Sequence, residues 1–510
     1  MVTLVGALRA VRVATAERSL LPTDEPVDIL IADGRIADVA PTGALDLSRL
    51  ARGSILDGDG GWVVPGLWDH HVHTVQWALA AQREPLGDVG SAREAADRMS
   101  RAAVLPDGRR VGSGYRAVRW TDAPDLGLLD AATGDVPTYL INADVHSVWL
   151  NSAAFRREGF APTTDGLLRE ADAFEISRRL NAAEPALADA AVADAARRAA
   201  SRGVVGIVDF DMAWNEDAWA RRLAAGFDAH RVAFAVYPDH LDRAIAEGWT
   251  SGSGIEGDPL GLVRRGPLKV ISDGSLGTRT AACSAGYTDD PHNHGVLTVA
   301  PEELRDMLVR AAGAGIDAAV HAIGDVALSS AFDAFALSGA TGTIEHAQLV
   351  RHADLARFAR LGVAASVQPQ HAVDDRDAAD ALWAAQTALA YPLASLHRAG
   401  ASLRFGSDAP VAPLDPWLAV AAAVHRTDDD RPAWHPEERL DVETALAASG
   451  RGGTGTDGES PARIRPGADA DLVLCGLDPS SASAAELRSM PVQATLLAGR
   501  ATYLDPGYGG

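Results

Sequence analysis

With 510 residues, 47% hydrophobic and 23% charged, the chain has the composition of a soluble globular protein, and it is too long for one compact core. A formal net charge of -23 excludes nucleic acid and anionic membrane surfaces as partners. Two cysteines make no disulfide framework, the first residues lack the order of a secretion signal and no apolar run is long enough for a membrane span, so the expected location is a reducing cytoplasm.

Residues 1–60 read as short alternating runs broken by turns, such as Val27–Ala32 before Asp33-Gly34, which is β-sheet patterning. Residues 462–510 behave alike, with Ala470–Cys475 and Ala494–Arg500. The two ends are therefore expected to complete one small β domain around a larger inserted unit. Within 61–76 and 196–461, apolar runs alternate with helical segments. The candidate strands are Trp62–Asp69, Val204–Phe210, Val232–Tyr237, Pro267–Ile271, Ile316–Ala322, Gly342–Glu345, Gly362–Val367 and Leu403–Gly406. Helix starts lie between several of them, as at Pro301-Glu302-Glu303, with proline and acids in the first turn. Eight buried strands separated by helices imply an α/β fold with a closed (β/α)8 barrel of TIM type; an open doubly wound sheet is the alternative. Residues 77–195 break the alternation and read as an insertion after the first barrel strand, covering the barrel mouth.

Chemistry-bearing residues cluster at strand ends. His71 and His73 are two apart, so on a strand both point to one side, as ligands of one divalent metal would. His321, His346 and Asp408 end the fifth, sixth and eighth candidate strands, where a barrel gathers its active site. Lys269 is the only lysine among 46 basic side chains, and it lies in the apolar run Leu268–Ile271. A buried amine can lose its proton and react, whereas guanidinium stays charged, so chemistry rather than charge accounts for a lysine here. A chance remnant of biased composition is the plain alternative.

Seven segments carry a family resemblance. They are Pro65–His73, Ala143–Ser152, Asp273–Ala282, His321–Asp325, Ile344–Gln348, Val367–His371 and Gly406–Val411. Over nearly its whole length the chain resembles the amidohydrolase superfamily, and within it the YtcJ-like group often called amidohydrolase family 3. His70 departs from the pattern, which expects a small residue there. The resemblance implies a distorted (β/α)8 barrel with a small β-sandwich from both termini. It implies Zn²⁺, one or two ions per chain, with His71, His73 and Asp408 on one and His321 and His346 on a second. Lys269, as a carbamate formed with CO2, would bridge them; the fallback is one metal with the lysine unmodified. Asp408 would also shuttle the proton, and His371 would stabilise the carbonyl oxygen or contact substrate. Asp273 and Arg279 are candidates for orienting ligands or binding substrate. Asp325 would hold His321 in one tautomer or cap a helix, and His146, with Asp144, would reach the mouth from the insertion or make an internal hydrogen bond.

The implied reaction is hydrolysis of a carbon–nitrogen bond other than a peptide bond, as in N-substituted formamides, with a small amide as substrate. Trp68, Trp77, Trp120 and Trp149 suit either an enclosed apolar pocket or the core. The alternatives are hydrolysis of a small ester, lactone or cyclic amide, a lyase using Lys269 as a Schiff base, and a metal-binding scaffold without catalysis. A homodimer is an assembly the sequence leaves open.

Overall fold

Eight strands form one parallel sheet: β1 (Leu67–Val72), β2 (Val204–Asp209), β3 (Arg231–Val236), β4 (Val263–Ile271), β5 (Ala318–Ala322), β6 (Gly342–His346), β7 (Val363–Val367) and β8 (Leu403–Phe405). Each pairs with the next in chain order. Every residue of β1 and β7 is buried, as expected for strands covered on both faces. Closure between β8 and β1 runs through the parallel bridge Val72–Ala409 and two backbone bonds. Asp408 N–H donates to the His71 carbonyl (2.8 Å) and His73 N–H to the Ala409 carbonyl (2.9 Å). The result is a nearly closed barrel of TIM type. Gly206 in β2 is required by packing, because a Cβ there would overlap the Trp68 indole.

The computed structural model describes residues 3–14, 25–115, 117, 120–142, 147–181, 184–455 and 461–507. Two units form, Met1–Thr74 with Ala196–Gly510, and Val75–Ala195.

Both chain ends contribute to a nine-stranded sheet in the first unit. Leu472–Cys475 runs antiparallel to Trp62–Pro65, with Leu474 opposite Val63, and Leu8, Ile29, Val63, Leu472 and Leu496 share one core. The expected strand Trp62–Asp69 is thus two strands: Trp62–Pro65 in this sheet and β1 in the barrel. Pro65 cannot donate to a ladder; the Gly66 N–H still donates to the Asp471 carbonyl (2.8 Å), but the Leu67 N–H turns to the Gly203 carbonyl (3.1 Å), so the chain changes sheets there.

The insertion folds around its own five-stranded mixed sheet, in the order Leu167–Arg169, Ser147–Leu150, Thr138–Asn142, Arg110–Tyr115, Glu84–Pro85. Strand alternation sorts its core: Leu140 and Trp149 pack with Met99 and Leu129, while Tyr139, Ile141 and Val148 pack with Phe155 and Ile176 on the other face. Trp120 stacks on Tyr115 (4.8 Å), and Trp149 is fully buried, so these two tryptophans are core. Among the described residues no helix is long and apolar enough to cross a membrane.

Candidate metal centre

The carboxyl ends of five strands bring the titratable residues together. β1 carries His71 and leads into His73, β4 carries Lys269, β5 carries His321, β6 ends on His346, and Asp408 lies three residues past β8. His71, His346 and Asp408 each present one donor atom, and the three atoms lie within 4.8 Å of one another. His73 Nε2 is 3.4 Å from Asp408 Oδ1, and the His321 ring lies edge-on to His346 at 4.4 Å between centroids. Lys269, 1% exposed, places Nζ 3.5 Å from His71 Nε2 and 4.4 Å above the Phe210 ring. The sole lysine therefore sits among the histidines.

Buried partners set the ring orientations. His71 Nδ1 donates to Glu345 Oε2 (2.7 Å) and His346 Nδ1 donates to Gln368 Oε1 (2.8 Å), which leaves Nε2 of each ring as the lone pair. His321 Nε2 faces the Gly274 carbonyl and Asp273 Oδ1, each at 3.4 Å, which leaves its Nδ1. Asp69 Oδ1 accepts from the backbone N–H of His71 (3.1 Å) and Ser407 (2.9 Å), tying the end of β1 to the loop after β8. Gly406 is needed in that loop, since a Cβ would come within 2.7 Å of the His71 backbone nitrogen. His346 and Asp408 hold positive φ, 73° and 57°, a region that costs non-glycine residues on the order of 1–3 kcal/mol and marks functional positions.

Electrostatics suit a cation. Burial, reinforced by the Lys269 charge, lowers His321 to about 4, and burial holds His71 and His346 well below the usual range, so all three rings are neutral donors at pH 7. Burial pushes the Asp408 carboxyl up, but His71 and His73 outweigh it and hold it well below the usual carboxylate range. Burial lowers Lys269 to about 8, against the opposing pull of Glu345 and Asp408. Neutral imidazoles and an ionised carboxylate converging in a buried site are the donor set of a divalent transition metal. His73 Nδ1 is buried without a protein partner, consistent with a ring held here for another purpose than packing. The residues fit a metal.

Other sequence candidates are placed differently. Asp273 is fully buried and accepts from the backbone N–H of Ile323 (3.0 Å), Gly324 (2.8 Å) and Ala282 (2.9 Å), so it fixes the loop after β5. Burial pushes its carboxyl up to about 7. Asp325, expected to hold His321, instead accepts from Ser284 N–H and Arg351 Nε; Asp273 faces His321 in its place. Asp325 is drawn off because it opens the helix Asp325–Ser338, where Arg351 reaches it. Arg279 is not brought to the cluster either: it is exposed and pairs with Asp289 at 2.6 Å. His371 lies in the short helix Pro369–Asp374 after β7, accepts at Nδ1 from Gln348 (3.5 Å), and leaves Nε2 buried without a partner. His70 bonds the Gly450 carbonyl through Nε2 (3.0 Å), and burial lowers it to about 4. His146 and Asp144 lie outside the described residues. Glu345, not among the sequence candidates, is the partner of His71, and an acid inside an apolar strand is the signal for it.

Comparison with known proteins places this geometry in a lineage. The model of the amidohydrolase family matches residues 54–503. The chain belongs to the amidohydrolase family. It is 26% identical to the YtcJ protein of Bacillus subtilis over 483 residues, 87% of this chain and 89% of that one. It is 24% identical to the N-substituted formamide deformylase of Arthrobacter pascens over 527 residues, 94% and 95% of the two chains. A crystal structure of an uncharacterized metal-dependent hydrolase from Pyrococcus horikoshii OT3 superposes with a TM-score of 0.79 at 26% identity, covering 94% of this chain and 99% of that one. The protein is thus an amidohydrolase-family, metal-dependent hydrolase.

Proposed function

We propose that this amidohydrolase cleaves the carbon–nitrogen bond of a small non-peptide amide, of which an N-substituted formamide is the type. The observation that carries the reading is the convergence of His71, His346 and Asp408 within 4.8 Å, with the only lysine 3.5 Å from His71 Nε2. His71, His73 and Asp408 would hold one Zn²⁺, and His321 and His346 a second. When bound, the metal supplies acidification of water and polarisation of the substrate carbonyl.

The remaining work falls to side chains. The neutral Lys269 amine adds CO2 and releases one proton, and the resulting carbamate offers two oxygens where an ammonium offers no lone pair. Asp408 accepts the proton of the attacking water and delivers it to the leaving nitrogen, so that amide and water become acid and amine. His371, whose Nδ1 accepts from Gln348, carries its proton on Nε2 and donates it as a hydrogen bond to the carbonyl oxygen. Glu345 and Gln368 keep the His71 and His346 lone pairs aimed inward. The Arthrobacter pascens relative supports formamides as the class to try first.

The test is a panel of N-substituted formamides, N-acyl amines, esters and lactones assayed with purified protein of known metal content. Turnover of formamides or N-acyl amines above the esters and lactones supports the reading. Metal-replete protein that hydrolyses only the esters or lactones, or nothing, overturns it. Full metal content in Lys269→Ala would refute the bridging role.

A further inference from the structure

The end of the barrel opposite the metal centre holds a cavity of about 200 Å³. Residues from all eight barrel strands line it, among them His70 of β1, Val208 of β2, Ala233 of β3, Arg265 of β4, Ser366 of β7 and Arg404 of β8. A space walled by every strand of a barrel lies within its lumen. Because Arg231, Arg264, Ala318 and Gly342, at or near the first residues of their strands, also line it, it opens at the amino end. The corresponding region of such barrels is ordinarily filled by branched apolar side chains.

The wall is rich in donors and poor in acceptors. Five arginines line it in a chain of net charge -23, against two acids, Asp317 and Glu345. Both acids are engaged already, Asp317 by the Thr341 hydroxyl and Glu345 by His71 and Thr343. Asp471, Glu216 and Asp469 pair with Arg231, Arg265 and Arg451 from outside the cavity, whereas Arg264 donates to a carbonyl, that of Gly252 (2.8 Å). Two further donors of the wall, Trp68 Nε1 and Ser366 Oγ, are buried in residues 8% and 1% exposed and find no partner in the protein. Leaving such groups unpaired costs about 1–3 kcal/mol each, which points to an occupant that accepts hydrogen bonds. Between the polar groups stand Val208, Phe210, Val232, Leu262 and Pro267, which would cover an apolar tail.

We infer that the amino end of the lumen is a binding site for a small organic carboxylate, distinct from the metal centre, with Glu345 and Phe210 as the layer between the two. Arginine forks match a carboxylate in bidentate fashion, and the apolar wall distinguishes an organic acid from a bare inorganic anion.

Benzoate is the probe, titrated calorimetrically into the metal-loaded enzyme, with inorganic phosphate as the comparison. Saturable benzoate binding, at least tenfold tighter than phosphate, is expected. Ala233→Leu, which fills the space, and Arg404→Gln, which removes a charge, are each expected to weaken it at least tenfold while leaving metal content and basal hydrolysis unchanged. Should Ala233→Leu not fold, Arg404→Gln decides alone. Absence of saturable binding, equal binding of phosphate, or undiminished binding in the folded variants overturns the inference. Loss of binding when the metal is chelated from wild-type protein also overturns it, because benzoate was then held by the metal. Hydrolysis and metal content are measured on the same samples. Benzoate binding in an enzyme inactive on every amide would therefore sink the proposed reaction and keep this site.

Discussion

The insertion and the barrel bury different kinds of side chain. Among the described residues, the buried polar groups of the insertion are Thr133, Thr138 and Asn151, all uncharged. Asn151 shows how such a group is satisfied: its oxygen accepts from Thr138 and Ala154 N–H, and its amide donates to Thr133, Gly134 and Val136. The barrel instead buries Asp69, His71, Lys269, Asp273, Glu345 and His346. Taking a charge out of water costs several kcal/mol unless partners compensate, so packing alone would not gather these groups. The insertion is built for stability, the barrel mouth for chemistry.

Substitutions can separate the two. Asp408→Asn should keep metal yet lower kcat by about 10²–10⁴-fold, the usual contribution of a positioned acid–base group. Steady-state assays paired with metal analysis check this, and near-normal turnover would contradict the shuttle. Trp149→Ala should destabilise the insertion by about 3–5 kcal/mol through the cavity it leaves. Hydrogen exchange across Val75–Ala195 reads that loss, while metal content stays at the wild-type level; a matching loss of metal would contradict a division of labour between insertion and barrel. Glu345→Gln should weaken metal binding by about 10–100-fold, because His71 loses the carboxylate on its Nδ1. Competition with a chelator measures it, and unchanged affinity would reduce Glu345 to packing.

The smallest effect is in pH. Burial lowers the Lys269 amine to about 8, so its neutral form rises from about a tenth at pH 7 to about nine-tenths at pH 9. Because the neutral amine is the form that adds CO2, metal uptake by metal-free protein supplied with bicarbonate should increase with pH through that range. A flat or falling profile would count against carbamate formation.

Much of this was legible in the sequence because barrel strands place chemistry at their carboxyl ends. His71, His321, His346, Lys269 and Asp408 each follow or end an apolar run, and that is where the structure gathers them. Glu345 escaped because strand alternation turns it away from His346. The positive φ of His346 and Ala347 (73° and 41°) breaks the extended conformation just there, and Glu345 reaches His71 while His346 faces the same cluster. Asp273 and Asp325 could not be told apart as partners of His321, since the choice depends on Arg351 capturing Asp325. The first barrel strand began too early in the sequence reading because Trp62–Pro65 is as apolar as β1; only its partner Leu472–Cys475, some four hundred residues away, reveals the separate sheet. The insertion's sheet was missed because its strands pair both parallel and antiparallel, leaving no single alternation to follow.

Crystals grown with zinc and bicarbonate, with anomalous diffraction recorded at the zinc absorption edge, test the central claim most directly. The account predicts one or two anomalous peaks enclosed by His71, His73, His321, His346 and Asp408, with density extending Lys269 Nζ into a carboxylate. Zinc bound elsewhere, or those residues free of metal in protein that is fully active, would contradict it.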